Sequence, residues 1–190
     1  MKGIQQSLFP SRTTTELVED IKKLNTEIQE LYCLDSIPWV VGYSGGKDST
    51  ATLQLIWNAI AELPQKRRVK TIHIITTDTL VENPIVSAWV TNSLKLMEES
   101  AKNNKLPIQC HLLKPEVKQT YWVGLLGKGY PAPRHTFRWC TPRLKINPSN
   151  LFIRNVVRNN GETIVVLGTR KTESANPVSY THLTLPTRTR

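Results

Sequence analysis

Hydrophobic and polar positions along the chain follow two spacings, which predict helices separated by short strands. Apolar residues three and four apart predict amphipathic helices over residues 13–34 and 83–104. Short apolar runs predict strands, and the first of them, residues 38–43, is typical of a strand buried on both faces of a parallel sheet. These runs cover residues 38–43, 69–77, 107–113 and 163–168. The pattern predicts an α/β fold with a doubly wound, mostly parallel sheet and helices on both faces.

Both long helices carry start signals. Thr13 and Glu16 form a capping-box pattern, and Asn83-Pro84 opens the second helix. The predicted packing positions of the first helix are Leu17, Ile21, Leu24, Ile28 and Leu31. Those of the second are Ile85, Ala88, Trp89, Leu94, Leu96 and Met97.

The turn after the first predicted strand, Ser44-Gly45-Gly46, has the composition of a phosphate site. Two consecutive glycines allow positive φ and a close approach of the backbone to a ligand. A helix is predicted to follow directly, and its first N–H groups carry the positive end of the helix dipole. The helix starts with Asp48, Ser49 and Thr50, and its apolar face contains Leu53, Leu55, Ile56, Trp57 and Ile60. A phosphate or pyrophosphate is expected at this helix start.

The spacing of this turn differs from that of the common P-loop. A P-loop has glycine five positions before its Gly-Lys pair and Ser or Thr after the lysine. Here Val41 occupies the first position and Asp48 follows Lys47. A carboxylate therefore replaces the hydroxyl that binds Mg²⁺ in enzymes that cleave the γ-phosphate.

Asp78 follows the second predicted strand. The carboxyl ends of parallel strands border the crevice in which open α/β sheets bind ligands, and the first strand brings Ser44 to the same edge. Asp at a strand end can also cap the next helix, so a functional and a structural interpretation compete. His73, Cys110 and His111 lie within predicted strands and are interpreted as core residues.

The positive charge of the chain is concentrated in one segment. The formal net charge is +10, and residues 117–161 contain no Asp or Glu. The basic residues there are Lys118, Lys128, Arg134, Arg138, Arg143, Lys145, Arg154 and Arg158, interleaved with Tyr121, Trp122, Tyr130, Phe137 and Trp139. Such a balance favours a polyanionic partner such as nucleic acid. Glycines and prolines among the aromatic residues predict a long, ordered loop.

Composition also limits the compartment. The chain has 190 residues, which suits one α/β domain, and no apolar run approaches the ~18 residues of a membrane span. No apolar signal segment follows Met1. The three cysteines form no Cys-x-x-Cys pair, which argues against a secreted disulfide framework. We therefore predict a cytoplasmic protein without a membrane partner.

Cys140 is a candidate reactive thiol. Thr141-Pro142 predicts a helix start with Thr141 as N-cap, and Arg138 and Arg143 flank the cysteine. A helix N-terminus and neighbouring cations both favour a thiolate. Cys140 is therefore interpreted as a nucleophile, a persulfide carrier or one ligand of an iron–sulfur cluster, against the alternative of an inert buried thiol.

Four motifs together resemble a known family. They are Ser44-Gly45-Gly46-Lys47-Asp48-Ser49, Asp78-Thr79, Arg138-Trp139-Cys140-Thr141-Pro142 with Lys145, and Gly168-Thr169-Arg170-Lys171 with Glu173-Ser174. Their order resembles the phosphoadenosine phosphosulfate (PAPS) reductase-like branch of the PP-loop ATP pyrophosphatases, whose members split ATP into AMP and pyrophosphate. Within that branch the chain is most similar to the DndC family, the sulfurtransferases of bacterial DNA phosphorothioation.

This resemblance implies an organisation and a set of site residues. It implies a helical segment over residues 1–37 and a PP-loop domain over residues 38–176. The nucleotide-binding residues would be Ser44, Gly45, Gly46, Lys47, Asp48, Ser49, Asp78, Gly168 and Arg170. The catalytic residues would be Lys47, Asp48, Cys140, Arg170 and Glu173. Asp48 and Asp78 would bind Mg²⁺, and Cys140 would be a possible iron–sulfur ligand.

The resemblance also implies cofactors and partners, and it has a limit. The cofactors would be ATP and Mg²⁺, with a [4Fe–4S] cluster in longer members of the family. The partners would be DNA, a cysteine desulfurase and other DNA phosphorothioation proteins. Residues 177–190 depart from the family and are expected to be a truncated or artificial end. A PAPS reductase, which needs a cysteine after Cys140, and a catalytically incomplete DNA-binding fragment are the alternatives.

Overall fold

A computed structural model describes residues 13–169 of the chain. Within this range helices and strands alternate, as the sequence predicts. In chain order they are α1 (Thr14–Leu34), β1 (Trp39–Gly42), α2 (Lys47–Glu62), β2 (Ile72–Thr77), α3 (Pro84–Asn103), β3 (Ile108–Leu113), α4 (Asn147–Asn160) and β4 (Ile164–Val166). None of the helices in this range has the length and apolarity needed to span a membrane.

The four strands form one parallel sheet in the order β3-β2-β1-β4. Trp39 of β1 lies opposite Ile72 of β2 on one side and Ile164 of β4 on the other. From β1 to β3 the chain adds strands in one direction, and it then returns to the opposite side of β1. Ligands of open α/β sheets bind where the strand order reverses in this way, which here is the carboxyl end of β1 and β4.

Helices cover both faces of the sheet, which explains why β1 is apolar at every position. Trp39 and Val41 belong to the larger core, which α1, α2 and α3 cover. Val40 faces the other side and packs with Val156 of α4. Adjacent residues of a strand point to opposite faces, so a strand covered on both sides buries them all. The predicted parallel α/β architecture is therefore confirmed.

Helix α1 begins as predicted but packs differently. The capping box is present: Glu16 N–H donates to Thr13 Oγ1 over 3.3 Å, and Thr13 N–H donates to Glu16 Oε2 over 2.9 Å. The fully buried side chain, however, is Tyr32. Of the five predicted packing residues, Ile28 packs against the core, whereas four are exposed, namely Leu17, Ile21, Leu24 and Leu31.

The predicted packing positions of α3 are partly wrong. Leu94 is buried and Met97 packs against the core, as predicted. Ile85, Ala88, Trp89 and Leu96 are exposed instead. The buried stripe is Val90, Leu94, Met97 and Ala101. These positions are four, three and four apart, so they share one side of the helix, whereas the exposed residues lie on the opposite side.

Two histidines contact each other beneath α4. His73 Nδ1 lies 3.1 Å from His111 Nε2, and both rings pack against Phe152. Burial lowers the pKa of both imidazoles, which favours the neutral forms that can share one proton in a hydrogen bond. Their placement agrees with the predicted structural role.

A buried cation joins α1 to the segment before β2. The Lys70 ammonium pairs with Asp35 and lies 5.3 Å from the ring centre of Tyr32 and 5.2 Å from that of Trp39. The Tyr32 hydroxyl donates to the Lys70 carbonyl over 2.6 Å. The bond with the Lys70 side chain holds the pKa of the Asp35 carboxyl below its ordinary value. Burial raises the pKa of Tyr32 to about 12.

Replacing Tyr32 by Phe should reveal two effects of the Tyr32 hydroxyl on stability, one from its hydrogen bond and one from its ionisation. At neutral pH we expect Tyr32→Phe to lower the free energy of unfolding by about 1–2 kcal/mol, because the Lys70 carbonyl loses its buried donor. The folded state favours the protonated phenol, so the wild type should lose stability relative to the variant as the pH rises from 10 towards 12. Denaturant unfolding across this range measures both effects.

Tyr43→Phe is the control at neutral pH. Tyr43 is also buried, but its hydroxyl forms no hydrogen bond within the described part of the chain. This variant should therefore stay close to the wild type. A stability difference between wild type and Tyr32→Phe that stays constant up to pH 12 would contradict the assignment.

Candidate nucleotide site at the carboxyl edge of the sheet

The glycine turn links β1 to α2 at the point where the strand order reverses. Gly45 has a φ of +74°, a conformation that glycine adopts without strain. A Cβ at this position would lie 2.6 Å from the ring of Trp89 on α3. Gly46 is the N-cap of α2, and it lacks the side-chain hydrogen bond that Ser, Thr or Asp would supply. Local geometry thus requires glycine at position 45. Gly46 has a φ of −80°, and an added Cβ would meet only Ser44 Oγ, at 3.4 Å, so the turn does not require glycine there.

Among residues 13–169, the N-terminal end of α2 is exposed to solvent and its first amides have no acceptor. Ser44, Gly46 and Lys47 are exposed to solvent. The backbone N–H groups of Gly45, Gly46 and Lys47 find no acceptor among residues 13–169. Because these amides lie at the positive end of the helix dipole, an anion placed there would accept their hydrogen bonds.

Ser49 holds the turn in shape from inside. Its hydroxyl lies 3.1 Å from Ser44 Oγ, accepts from Ser44 N–H over 3.3 Å and donates to Gly46 O over 3.0 Å. The side chain is buried. Ser49 therefore supports the geometry of the turn, whereas Ser44 Oγ and Lys47 are exposed towards the opening.

The end of β4 lies against the first turn of α2. A Cβ on Gly168 would lie 2.6 Å from Thr52 Oγ1 and 2.7 Å from the carbonyl oxygen of Asp48. Glycine is therefore the residue that allows β4 to end beside the helix start. Gly168 lies beside the first turns of α2, and its predicted role in nucleotide binding stays a prediction. Arg170 and Glu173 lie outside the described residues.

Asp78 is half-buried at the end of β2. Its N–H donates to Leu113 O over 2.8 Å, which extends the pairing of β2 with β3. Its Oδ1 accepts from Leu80 N–H over 2.9 Å, and Leu80 has a φ of +61°. Asn83, rather than Asp78, caps α3 through its bond to Ile85 N–H. One carboxylate oxygen of Asp78 thus forms a local turn, and the helix-cap alternative is excluded.

Cys140 opens into a pocket shared with the residues that follow β2. The pocket holds about 170 Å³, and Thr79, Glu82, Tyr121 and Lys145 are among its lining residues. The cysteine is half-buried in the first turn of the helical segment that leads to α4. The pocket therefore brings together the Asp78-Thr79 motif and the motif around Cys140, because Thr79 and Cys140 both line it.

The predicted role of Thr141 as an N-cap is wrong. Its φ of −59° and ψ of −52° are helical, and its side chain makes no capping hydrogen bond. Helical geometry already begins at Cys140, and the turn over Pro142–Ile146 is a wider, π-helical one. Proline at the start of this turn is tolerated because its missing N–H would have no helical partner. Cys140 remains at the N-terminal end of the segment.

The described residues contain no ready-made metal centre. Residues 13–169 include no cluster of three or more His, Cys, Asp or Glu side chains able to hold an ion. This finding bears differently on the two implied cofactors. Mg²⁺ in nucleotide sites is bound by one or two carboxylates together with the phosphates, so Asp48 and Asp78 fit its chemistry. A four-iron cluster needs four protein ligands, and the whole chain has three cysteines, so the cluster does not fit this chain.

Comparison with known proteins adds no family assignment. No protein-family model matches the chain, and no curated protein matches it at a significant level. The functional interpretation therefore depends on the residues and the geometry of the site.

Several residues of the site were not predicted from sequence. Trp89 was assigned to the core, yet it is 52% exposed and touches the glycine turn. Tyr121, Glu82 and Lys145 line the pocket of Cys140 but come from three separate segments. Their convergence depends on how the 114–146 segment folds back over the sheet edge, which no local periodicity encodes.

We predict that Gly45 and Gly129 will respond differently to alanine. Both have positive φ, but a Cβ on Gly45 meets Trp89, whereas one on Gly129 meets nothing within 4 Å. Gly129→Ala should cost about 1–2 kcal/mol of stability from backbone strain alone. Gly45→Ala should cost about 1–3 kcal/mol more, because the methyl group overlaps the indole.

Denaturant unfolding measures both losses, and a double-mutant cycle tests their cause. Adding Trp89→Ala to Gly45→Ala should recover the extra loss, because it removes the atoms that clash. Equal losses for the two glycine variants would show that Trp89 does not constrain the turn.

Proposed function

We propose that this chain binds ATP and splits it between the α and β phosphates, as part of a DNA sulfurtransferase with the PP-loop fold. One observation carries the proposal: an open glycine turn whose amides lack acceptors in the described chain, placed where the strand order reverses. The Ser-Gly-Gly-Lys-Asp-Ser motif at residues 44–49 gives the type of cleavage, since it resembles that of the ATP pyrophosphatases.

The phosphates would be held by the backbone and by one point charge. The first amides of α2 would donate to the β and γ phosphates, and Lys47 would balance their charge. Asp48 and Asp78 would hold Mg²⁺, which prefers oxygen ligands and bridges phosphates. Gly168 would let the backbone after β4 lie directly against the first turns of α2, next to the bound phosphates. By resemblance, Arg170 would offset charge at the α-phosphate, and Glu173 would orient it.

The chemistry would begin with activation of the DNA backbone. A non-bridging oxygen of a DNA phosphate attacks the α-phosphorus of ATP, and the bond from that phosphorus to the bridging oxygen of the β-phosphate breaks. Pyrophosphate leaves, and the DNA phosphate becomes an anhydride with AMP. Electrostatic stabilisation by Lys47 and Mg²⁺ would act on the charge that develops on the departing pyrophosphate.

Sulfur would then replace the activated oxygen. The terminal sulfur of a persulfide, supplied by a cysteine desulfurase, attacks the DNA phosphorus, and AMP departs with the original oxygen. A second thiol then attacks the carrier sulfur of the new linkage, and the sulfur–sulfur bond breaks. DNA keeps the transferred sulfur, and the carrier thiol and the second thiol are oxidised to a disulfide. Cys140 is the candidate persulfide carrier, because it is half-buried and opens into a pocket beside Thr79.

The products of ATP cleavage test this proposal. Incubation with ATP, Mg²⁺, DNA and a persulfide donor should release AMP and pyrophosphate in equal amounts. Lys47→Ala should weaken ATP binding at least about 10-fold, because a charge-assisted contact with phosphate is lost. Separate assays of AMP with pyrophosphate and of ADP with phosphate, together with calorimetric titration of ATP, measure these effects.

Lys66→Ala is the matched control. Lys66 is also an exposed lysine, but it lies in the short turn Gln65–Arg67 after α2. Its removal should leave ATP binding unchanged. Release of ADP and phosphate, or equal affinities of the two lysine variants, would refute the proposed site.

A further inference from the structure

Two large aromatic side chains project into solvent from the basic segment. Trp122 is 56% exposed and Phe137 is 50% exposed. Arg134 and Arg138, which flank Phe137, are exposed as well. We call these four residues the aromatic–basic surface. Exposed aromatic rings are costly in water, so a surface that combines them with cations suggests a ligand that offers both apolar faces and negative charge.

Trp122 packs on a cluster of aromatic rings. Trp139 is 9% exposed, and its indole N–H donates to Pro131 O over 2.9 Å. Tyr121 stacks on Trp139 with ring centres 5.5 Å apart and an angle of 17° between the planes. Trp122 in turn meets Tyr121 edge to face at 5.3 Å. A Cβ on Gly124 would lie 2.6 Å from Trp139, so glycine is what lets the chain pass over this ring.

Phe137 is presented by a closed turn. Arg134 N–H donates to Phe137 O over 3.1 Å, and Phe137 N–H donates to Arg134 O over 3.0 Å. This antiparallel bridge leaves two residues, His135 and Thr136, at the tip. The backbone bonds therefore fix the backbone of Phe137 next to that of Arg134, so the turn itself needs little ordering when a ligand binds.

The charged side chains of the segment that carries these rings all have one sign. Residues 117–161 contain no carboxylate side chain, and Lys118 and Lys128 are exposed along with the two arginines. Arg143 already lies over a ring of this segment, with its guanidinium carbon 4.5 Å from the centre of Tyr130. Cations that track phosphates, together with rings that accept stacked bases, are the features of sites for single-stranded nucleic acid.

We propose that the aromatic–basic surface binds unpaired nucleobases of single-stranded DNA, with Trp122 and Phe137 each stacking on a base while Arg134 and Arg138 contact the backbone. The choice of DNA rests on the proposed function, but the stacking argument does not. In a duplex the base faces are covered by their neighbours, so the two rings would have no face to stack on. The target DNA would therefore be locally opened when it reaches the nucleotide site.

The test compares strands that differ only in their bases. The probes are fluorescein-labelled oligothymidylate of about 12 nucleotides, an abasic strand of equal length, and a duplex of equal length. Fluorescence anisotropy should show tighter binding of oligothymidylate than of the other two. Trp122→Ala and Phe137→Ala should each weaken oligothymidylate binding at least about 5-fold and leave abasic binding unchanged.

Four control variants make the result interpretable. Trp122→Phe and Phe137→Tyr keep an aromatic ring and should bind oligothymidylate like the wild type. Ile85→Ala removes an exposed apolar side chain from α3 and should also have no effect. Lys47→Ala should retain strand binding, which separates a failure of this inference from a failure of the ATP site.

Two outcomes would overturn the inference. If the alanine variants lose oligothymidylate and abasic binding equally, the rings serve the fold and not the bases. If the wild type binds the duplex more tightly than oligothymidylate, the surface contacts the backbone of paired DNA rather than unpaired bases.

Discussion

The structure depends on how the chain passes from β1 into α2. The turn needs positive φ at Gly45, and it leaves the first amides of a 16-residue helix without acceptors in the described chain. Ser49 stabilises this conformation from the buried side, where its hydroxyl bonds Ser44 and Gly46. The open side is thereby left with hydrogen-bond donors and a lysine, which is an environment that favours an anion.

Distant elements converge on this turn because of the strand order. Pairing of β4 with β1 places Gly168 against α2, and the crossover to β3 places Trp89 against Gly45. At the next strand, Asp78 ends β2, and Thr79 faces the pocket of Cys140. On neighbouring strands, the edge of the sheet thus carries a glycine turn whose amides lack acceptors in the described chain and a pocket lined by the Cys140 thiol. This arrangement suits a reaction that activates a phosphate and then delivers sulfur to it.

Local features could be predicted from the sequence, whereas features set by long-range packing could not. The capping box at Thr13 and the strand at β1 follow from neighbouring residues, and both are present. The packing side of α3 depends on which apolar stripe meets the sheet, so Ile85 and Leu96 were misassigned. In the sequence, Lys70 has the appearance of an ordinary surface lysine. Its burial is possible because its ammonium pairs with Asp35 and lies over two aromatic rings, all from segments that precede it in the chain.

The most direct test of the central claim is the response of individual amides to ATP in a ¹⁵N–¹H correlation spectrum. With Mg²⁺ present, the amide signals of Gly45, Gly46 and Lys47 should shift most as ATP is added, because their N–H groups gain acceptors. The signals of Gly129 and Gly161, which also have positive φ but lie elsewhere, should stay in place. Saturating ATP that leaves the three turn amides unmoved would contradict the account.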